Sequence, residues 1–260
     1  MQDVQTPSVQ RIKEIVRALY EKRSVVGRSG RVHELRGEIG PKEGGFLFDV
    51  IQLDPAIRRT LEVGCACGMS SLHICAGILD RQGASHTIID PYQYSQWDGA
   101  GVRNLETAGL DFFDLIEEES ELALPRLLAD NEGQFDFVFV DGWHTFDHTL
   151  LDCFYATRLL RVGGVLAIDD VNFASVRRVV DFLEKYPCYE ELGAVRRLAP
   201  KSLKKLAARV LMSPLKRSFW ANVLARPVYR GVFDTHVAEM VALIKLGDDS
   251  RNWNWHAEAF

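Results

Sequence analysis

The apolar and polar positions between residues 59 and 170 repeat in a regular order. Short β-rich apolar runs alternate there with longer stretches of helical periodicity. The runs lie at 59–63, 86–90, 112–117, 135–141 and 164–170, and the helical stretches lie at 69–80, 99–109, 121–129 and 146–160. Such alternation is typical of βαβ units, so we predict an α/β fold with a doubly wound parallel sheet.

Both ends of the chain add helices to this pattern. A helix over 173–186 carries one apolar face and ends before Pro187. That face consists of Val176, Val179, Val180 and Leu183. The first 55 residues predict a helix over 8–22, a glycine-rich loop over 27–45 and a second helix over 45–53. We therefore expect an N-terminal helical cap, residues 1–55, on a main domain of residues 56–260.

Charge is distributed unevenly along the 260 residues, although the net charge is only −5. Residues 196–233 contain ten Lys or Arg and no Asp or Glu. At helical spacing, the apolar residues of this segment form one stripe and its basic residues form a separate cationic face. The stripe is Leu203, Leu206, Ala207, Val210 and Leu211, and the face is Lys201, Lys205 and Arg209. We predict a basic helical insertion, 196–233, before a last strand at 239–246.

This insertion is compatible with several roles. A cationic amphipathic helix can contact a membrane surface, receive an acidic substrate, or pack as an arm on its own domain or on a partner subunit. A nucleic-acid partner is not expected, because the aromatic residues are few and are not interleaved with the cations. The C-terminal stretch RNWNWHAEAF should fold back onto the domain or across a dimer, so we expect a homo-oligomer.

The remaining composition fits a globular protein of the cytoplasm. Hydrophobic residues make up 47% of the chain and charged residues 26%. The N-terminal stretch MQDVQTPSVQ is polar, and no apolar run approaches the ~18 residues of a membrane span. The five cysteines have no zinc-binding or redox spacing, so we interpret them as reduced core thiols.

A loop suited to a nucleoside follows the first strand of the repeating pattern. Its spacing is Gly64-x-x-x-Gly68-x-Ser70, which is looser than the G-x-G-x-x-G of a dinucleotide fingerprint. A serine takes the place of the third glycine, as expected where no diphosphate has to fit. Glu62 lies in the strand, and Asp90 ends the next strand, where an acid can accept both hydroxyls of a ribose. Glu62 can hold an ammonium group or brace the loop. Ribose and amino-acid recognition without a pyrophosphate favours S-adenosylmethionine over NAD; the alternative is an ordinary turn with a buried Glu62.

Carboxylates follow two further strands at the same edge of the predicted sheet. Asp141 ends one strand, and Asp169 and Asp170 end the next. Three acids there would repel one another unless they are protonated or bridged by a cation, and hard oxygen ligands favour Mg²⁺ or another octahedral divalent ion. His144 can reach the same cleft as a general base. The alternatives are that Asp141 caps a helix and that His144 is a structural residue at a helix start. Asp152 lies one turn after His148, and we expect it only to pair with that residue.

The stretches LEVGCACGMSS, IIDPYQ and FDFVFVDGWH…LLRVGGVLAIDDV together resemble class I S-adenosylmethionine-dependent methyltransferases. Within that class they are most similar to the small-molecule branch containing catechol and macrolide-sugar O-methyltransferases. The resemblance covers about residues 40–190 and 237–246. It implies a seven-stranded Rossmann-like sheet whose last two strands form an antiparallel hairpin. It also implies cofactor contacts at Glu62, Gly64, Gly68, Ser70, Asp90, Ser120, Asp141 and Trp143, with Ser120 and Trp143 flanking the adenine and Ser70 reaching the methionine carboxylate.

The reaction implied is methyl transfer to a hydroxyl of a small molecule, assisted by a divalent metal at Asp141, Asp169 and Asp170. The catechol branch has a lysine base and an Asp-Asn pair, whereas this chain has His144 and Asp169-Asp170. That difference favours a sugar or glycosylated metabolite as the acceptor. The alternatives are a metal-independent methyltransferase, a metal-dependent hydroxylase or hydrolase, and a cofactor-binding scaffold on the same fold.

Overall fold

The computed structural model describes residues 7–198 and 236–255. The N-terminal part contains α1 (Val9–Lys22), β1 (Ser24–Val26), β2 (Val32–Glu34) and α2 (Pro41–Leu53). The alternating part contains β3 (Arg59–Val63), α3 (Met69–Ile78), β4 (Ser85–Ile89), α4 (Ala100–Thr107), β5 (Phe113–Ile116), α5 (Ser120–Asn131), β6 (Phe135–Val140), α6 (Phe146–Leu159) and β7 (Leu160–Ile168). It is followed by α7 (Ala174–Leu183), β8 (Tyr189–Leu198) and β9 (His236–Lys245).

The central sheet has seven strands in the order β5-β4-β3-β6-β7-β9-β8. The five strands from β3 to β7 pair in parallel, and β9 pairs antiparallel with both β7 and β8. This confirms the predicted seven-stranded sheet with an antiparallel hairpin at its end. The strand order reverses beside β3, which lies between β4 and β6, and ligands of open parallel sheets bind outside the carboxyl ends at such a point.

Two hydrophobic cores cover the two faces of this sheet. Successive side chains of a strand point to opposite faces of the sheet. In the fully buried β6, Phe137 and Phe139 therefore pack in one core, whereas Val138 and Val140 pack in the other. The first core is completed by α1 to α4 and the second by α5, α6 and α7. All five cysteines are buried, as predicted for core thiols.

The N-terminal cap shares the first core and is less loop-like than the sequence indicates. Residues 27–45 were predicted as a glycine-rich loop, but they include the turn and the second strand of the antiparallel β1–β2 hairpin and the start of α2. The second helix begins at Pro41 rather than near residue 45. Proline is favourable in a first helical turn, and the Glu43 carboxylate accepts the backbone N–H of Gly40, which caps the helix.

The β8–β9 hairpin extends beyond the carboxyl edge of the parallel strands. Pairing of β9 with β7 ends at Ile168↔Val241, whereas pairing of β9 with β8 continues to Leu198↔His236. Arg196 and Arg197 are therefore strand residues, which corrects the start of the predicted insertion. Residues 199–235, and with them the predicted basic helix, lie outside the described residues.

The C-terminal tail packs back on α7 as far as it is described. Trp255 makes edge-on contacts with Phe182 and Tyr186, with ring centroids 6.1 and 5.8 Å away. The Arg251 guanidinium lies 3.2 Å from the centre of the Tyr186 ring. Across the described ranges, 7–198 and 236–255, no helix has the length and apolar character needed to cross a bilayer.

Candidate active site

A cavity of about 360 Å³ opens at the carboxyl ends of β3, β4, β6 and β7. Its described lining is strongly acidic and includes no lysine or arginine. The acidic side chains are Glu38, Glu43, Asp90, Glu119, Asp141, Asp169 and Asp170. Of the other predicted site residues, Gly64, Ser120, Trp143 and His144 also line it. A cavity of this charge favours cationic groups over anionic ones.

The glycine loop is shaped by the protein's own backbone. Gly64 has φ +89°, and a Cβ there would lie 2.2 Å from the Asp141 carbonyl oxygen. Gly68 has φ +77°, and a Cβ there would lie 2.9 Å from the Gly101 carbonyl oxygen. Both positions therefore require glycine for backbone conformation and packing. Both glycines were predicted to contact the cofactor; Gly64 lines the cavity, but Gly68 is not among the lining residues.

Asp90 supports this loop from the end of β4. Its Oδ2 accepts hydrogen bonds from the backbone N–H groups of Cys65 and Ala66, at 3.2 and 2.9 Å, and from the Gln93 amide. Its Oδ1 accepts one, from the Tyr92 N–H at 2.9 Å. Asp90 is only 3% exposed, yet it lines the cavity. Because Oδ1 accepts a single bond, it keeps capacity for a ligand hydroxyl.

Two of the predicted cofactor residues lie behind the cavity wall. Glu62 is fully buried and is not among the lining residues; its Oε2 accepts the Ser71 hydroxyl and lies 3.0 Å from His86 Nε2. Ser70 is buried in the first turn of α3 and is also absent from the lining. The structure therefore gives Glu62 a bracing contact to α3, through Ser71.

Asp141, His144 and Asp170 all line the cavity and converge on one another. One ligand atom from each of these three residues lies within 4.8 Å of the others. His144 Nδ1 lies 2.8 Å from Asp170 Oδ2. Asp169 lies outside this group, although its Oδ1 is buried and has no hydrogen-bond partner in the described part of the chain. Asp170 has φ +53°, a strained conformation of the kind that collects at functional sites.

Burial and mutual repulsion perturb these acids. Burial, followed by the charges of Asp169 and Asp170, raises the pKa of Asp141 well above its ordinary range. Burial and the nearby Glu43 raise the pKa of Asp169 to about 8. A divalent cation would relieve this repulsion, and carboxylate oxygens such as those of Asp141, Asp169 and Asp170 are donors that suit Mg²⁺ or Mn²⁺. The residues present therefore fit a metal site.

The two residues predicted to flank an adenine, Ser120 and Trp143, also line the cavity. Ser120 begins α5 and is buried at the cavity wall. Trp143 is 52% exposed; its ring stacks on His148 at 5.8 Å and meets Tyr92 edge-on at 6.5 Å. Behind them Asp152 is 1% exposed, and burial raises its pKa to about 6.

Part of the cavity lining was not predicted from the sequence. Gly37, Glu38 and Glu43 come from the cap, and Trp97 comes from the loop after β4. These residues lie outside the strand-end motifs and reach the cavity through tertiary packing, such as the contact between Gly37 and the Trp97 indole. Glu43 offered one signal, since an acid three residues after Gly40 indicates a helix cap.

The fold and the cavity together define the class I methyltransferase architecture, and comparison with known proteins confirms the predicted resemblance. Residues 61–171 match a family model described as a methyltransferase domain. The chain is 34% identical over 137 residues to tricin synthase 2 of Oryza sativa subsp. japonica, covering 50% of this chain and 43% of that protein. It is 30% identical over 149 residues to a probable caffeoyl-CoA O-methyltransferase of Arabidopsis thaliana, covering 53% and 58%. The chain thus matches about half the length of these relatives.

Solved structures show the same fold over nearly the whole chain. An O-methyltransferase from Bacillus cereus in complex with SAH (S-adenosylhomocysteine) has a TM-score of 0.59 at 17% identity, covering 94% of both chains. The O-methyltransferase TomG from Streptomyces achromogenes, involved in tomaymycin synthesis and solved with SAM (S-adenosylmethionine), has a TM-score of 0.60 at 15% identity. That match covers 92% of this chain and 90% of TomG.

Proposed function

We propose that this protein is an S-adenosylmethionine-dependent O-methyltransferase that acts on a hydroxyl of a small molecule with the help of a divalent cation. The observation that carries the proposal is the convergence of Asp141, His144 and Asp170 in a cavity that the predicted nucleoside contacts Asp90, Ser120 and Trp143 also line. The family match and the SAM- and SAH-bound structural relatives support the same reaction class.

The cofactor's adenosyl group is assigned to the part of the cavity that Asp90, Ser120 and Trp143 line. Asp90 Oδ1 has free acceptor capacity for the ribose hydroxyls. The exposed Trp143 ring offers a face against which an adenine can pack. The acidic lining suits a cofactor that carries a sulfonium and an ammonium group.

His144 is assigned as the base that removes the acceptor's proton. Its Nδ1 faces Asp170 Oδ2 at 2.8 Å, so Nδ1 carries the ring proton and Nε2 is left as the acceptor. A cation held by Asp141 and Asp170, with Asp169 as a further oxygen ligand, would lower the pKa of a bound hydroxyl. As the oxygen–carbon bond forms, the bond between the methyl group and the cofactor's sulfonium sulfur breaks and S-adenosylhomocysteine leaves; the hydroxyl proton passes to Nε2, and Asp170 stabilises the resulting imidazolium.

A sugar or a glycosylated metabolite is the acceptor class we propose. The base is a histidine rather than a lysine, as in the sugar-modifying branch that the sequence resembles. The described lining offers no lysine or arginine to hold a phosphate, and it includes the half-buried Trp97 indole, against which the apolar face of a sugar ring can pack.

Cytoplasmic location and homo-oligomer formation are further proposals. The five buried free thiols suit a reducing compartment.

Trp253 is 94% exposed on the described tail, and exposed aromatic residues are enriched at subunit interfaces. The contact of segment 196–233 with a membrane surface or an acidic substrate also stays a prediction. Analytical ultracentrifugation of the wild type and Trp253→Ala would test the oligomeric state.

The experiment that tests the function is a screen of glycosides with S-adenosylmethionine, read by mass spectrometry. We expect a gain of one methyl group, loss of activity in excess EDTA, and its return with Mg²⁺ or Mn²⁺. Full activity in EDTA would favour a metal-independent methyltransferase. The contact between His144 and Asp170 is compatible with that alternative, because the histidine could act as a base without a cation. Absence of transfer to every acceptor, together with absence of SAH binding, would contradict the proposal.

A further inference from the structure

His86 is a fully buried histidine on β4 that contacts polar groups through both ring nitrogens. Its Nε2 lies 3.0 Å from Glu62 Oε2, and its Nδ1 lies 2.9 Å from Thr60 Oγ1. Glu62 is fully buried as well. Taking such polar groups out of water is costly, and only partners with good geometry offset that cost. The two contacts hold the imidazole ring in one orientation between β3 and β4.

Glu62 makes its described hydrogen bonds through a single oxygen. Its Oε2 accepts the Ser71 hydroxyl and the His86 Nε2–H. Its Oε1 is buried and has no hydrogen-bond partner within residues 7–198 and 236–255. Removing one partner of a buried carboxylate leaves a charge that is no longer compensated. His86 is therefore needed to keep the carboxylate of Glu62 in place against Ser71.

Ser71 transmits this constraint to the loop between β3 and α3. A serine has one hydroxyl hydrogen, and Glu62 accepts it, so the Ser71 oxygen is left to accept the S–H of Cys65, whose sulfur lies 3.3 Å away. The backbone N–H of Cys65 donates to Asp90 Oδ2 at 3.2 Å. A continuous run of contacts thus joins His86 to Asp90, the acid assigned to the ribose.

We propose that His86 is a positioning residue for the cofactor: it holds Glu62 against Ser71 and thereby fixes the loop amide that donates to Asp90. The inference rests on the proposed adenosyl cofactor and adds to it a determinant that lies behind the cavity wall. It also assigns Glu62 to supporting the loop rather than to binding the cofactor's ammonium group, since Glu62 is fully buried and is not among the lining residues.

Glu62→Gln separates these two roles in calorimetric titrations with S-adenosylhomocysteine. The amide oxygen can accept both hydrogen bonds that Oε2 accepts, and the amide nitrogen can replace the unpartnered Oε1. The affinity should therefore stay within about threefold of the wild type. Direct binding of the ammonium group by Glu62 would instead require a loss of at least about tenfold, and that result would overturn the inference.

His86→Leu tests the positioning role itself. The variant leaves Glu62 with one donor, so we expect a lower Tm and an affinity for S-adenosylhomocysteine about tenfold lower than in the wild type. Adding Glu62→Gln to His86→Leu replaces the uncompensated carboxylate with a neutral amide. The double variant should recover an affinity within about threefold of Glu62→Gln alone.

His73→Leu is the matched control, because His73 lies on α3 and its buried Nε2 has no described hydrogen-bond partner. It should keep the wild-type affinity. A folded His86→Leu that binds as the wild type does, or a double variant that recovers nothing, would show a purely structural histidine and overturn the inference. If His86→Leu does not fold, Glu62→Gln alone decides. Absence of binding to the wild type would contradict the cofactor proposal instead.

Discussion

At the scale of single residues, the buried acid Asp152 makes the stability of the fold depend on pH. Burial raises its pKa from the ordinary 3.8 to about 6. The folded protein therefore holds this proton more tightly than the unfolded chain does. The resulting contribution to the free energy of unfolding is fully present below about pH 4 and is lost as the pH rises through about 6.

We expect Asp152→Asn to be more stable than the wild type at pH 7.5, because the amide is neutral at every pH. The gain should be up to about 3 kcal/mol and should disappear toward pH 4. Urea unfolding of both proteins between pH 4 and 8 measures the difference. Asp147→Asn, at an exposed position, should show no such gain. A variant less stable than the wild type at pH 7.5 would contradict the cost assigned to this charge.

His144 should act only while the methyl group moves. His144→Ala is expected to lower kcat by about 10²–10⁴-fold, the usual contribution of a general base, with SAH affinity and Tm near the wild-type values. Single-turnover kinetics on an acceptor found by the screen would measure this. A lower Tm with kcat within a fewfold of wild type would instead identify His144 as a structural residue at the helix start.

At the scale of elements, the loop between β3 and α3 depends on glycine conformation and on close backbone packing. Gly64→Ala should destabilise the protein strongly, since its Cβ would lie 2.2 Å from a carbonyl oxygen. Gly83 is the matched control, because it has φ +74° and nothing within 4 Å of its Cβ position. Gly83→Ala should cost only the conformational term, about 1 kcal/mol.

Thermal unfolding of the two glycine variants separates backbone strain from steric overlap. The excess loss of Tm in Gly64→Ala over Gly83→Ala reports the overlap with Asp141. Equal losses would show that the loop can move away from β6, and the packing requirement assigned to Gly64 would be wrong.

The elements that the sequence predicted well are those with a strong local pattern. The five parallel strands lie within a few residues of the predicted runs, because fully buried strands such as β6 are almost continuously apolar. The β1–β2 hairpin was missed because each strand has only three residues, and β2 has no buried side chain. Pairing between such short strands is decided by tertiary contacts.

The candidate site was predicted where its residues follow strand ends. Asp90, Asp141, His144 and Asp170 follow strands whose carboxyl ends meet, so sequence order fixes their neighbourhood. Side-chain direction could not be predicted. Glu62 faces Ser71 and His86 behind the cavity, whereas Glu43, distant in sequence, lines it.

At the scale of the whole molecule, three separate regions enclose the cavity around the sheet edge. The cap contributes Glu43, the loop after β4 contributes Trp97, and the strand ends contribute the acids. The β8–β9 hairpin projects from the same edge and places the Arg197–Glu239 ion pair near Glu43, whose pKa both charges influence. Acceptor binding should therefore depend on regions outside the matched stretch 61–171.

The central claim is that this cavity binds an adenosyl cofactor through Asp90, and calorimetric titration of S-adenosylhomocysteine tests it without knowledge of the acceptor. We expect one site per chain in the wild type and an affinity at least tenfold lower in Asp90→Ala, since hydrogen bonds to a charged group contribute about 1.5–3 kcal/mol each. Because Asp90 also supports the loop amides, Asp90→Asn, which keeps one acceptor oxygen, serves as the folded control, with a smaller loss of affinity. Absence of binding to the wild type, or an affinity unchanged in Asp90→Ala, would contradict the account.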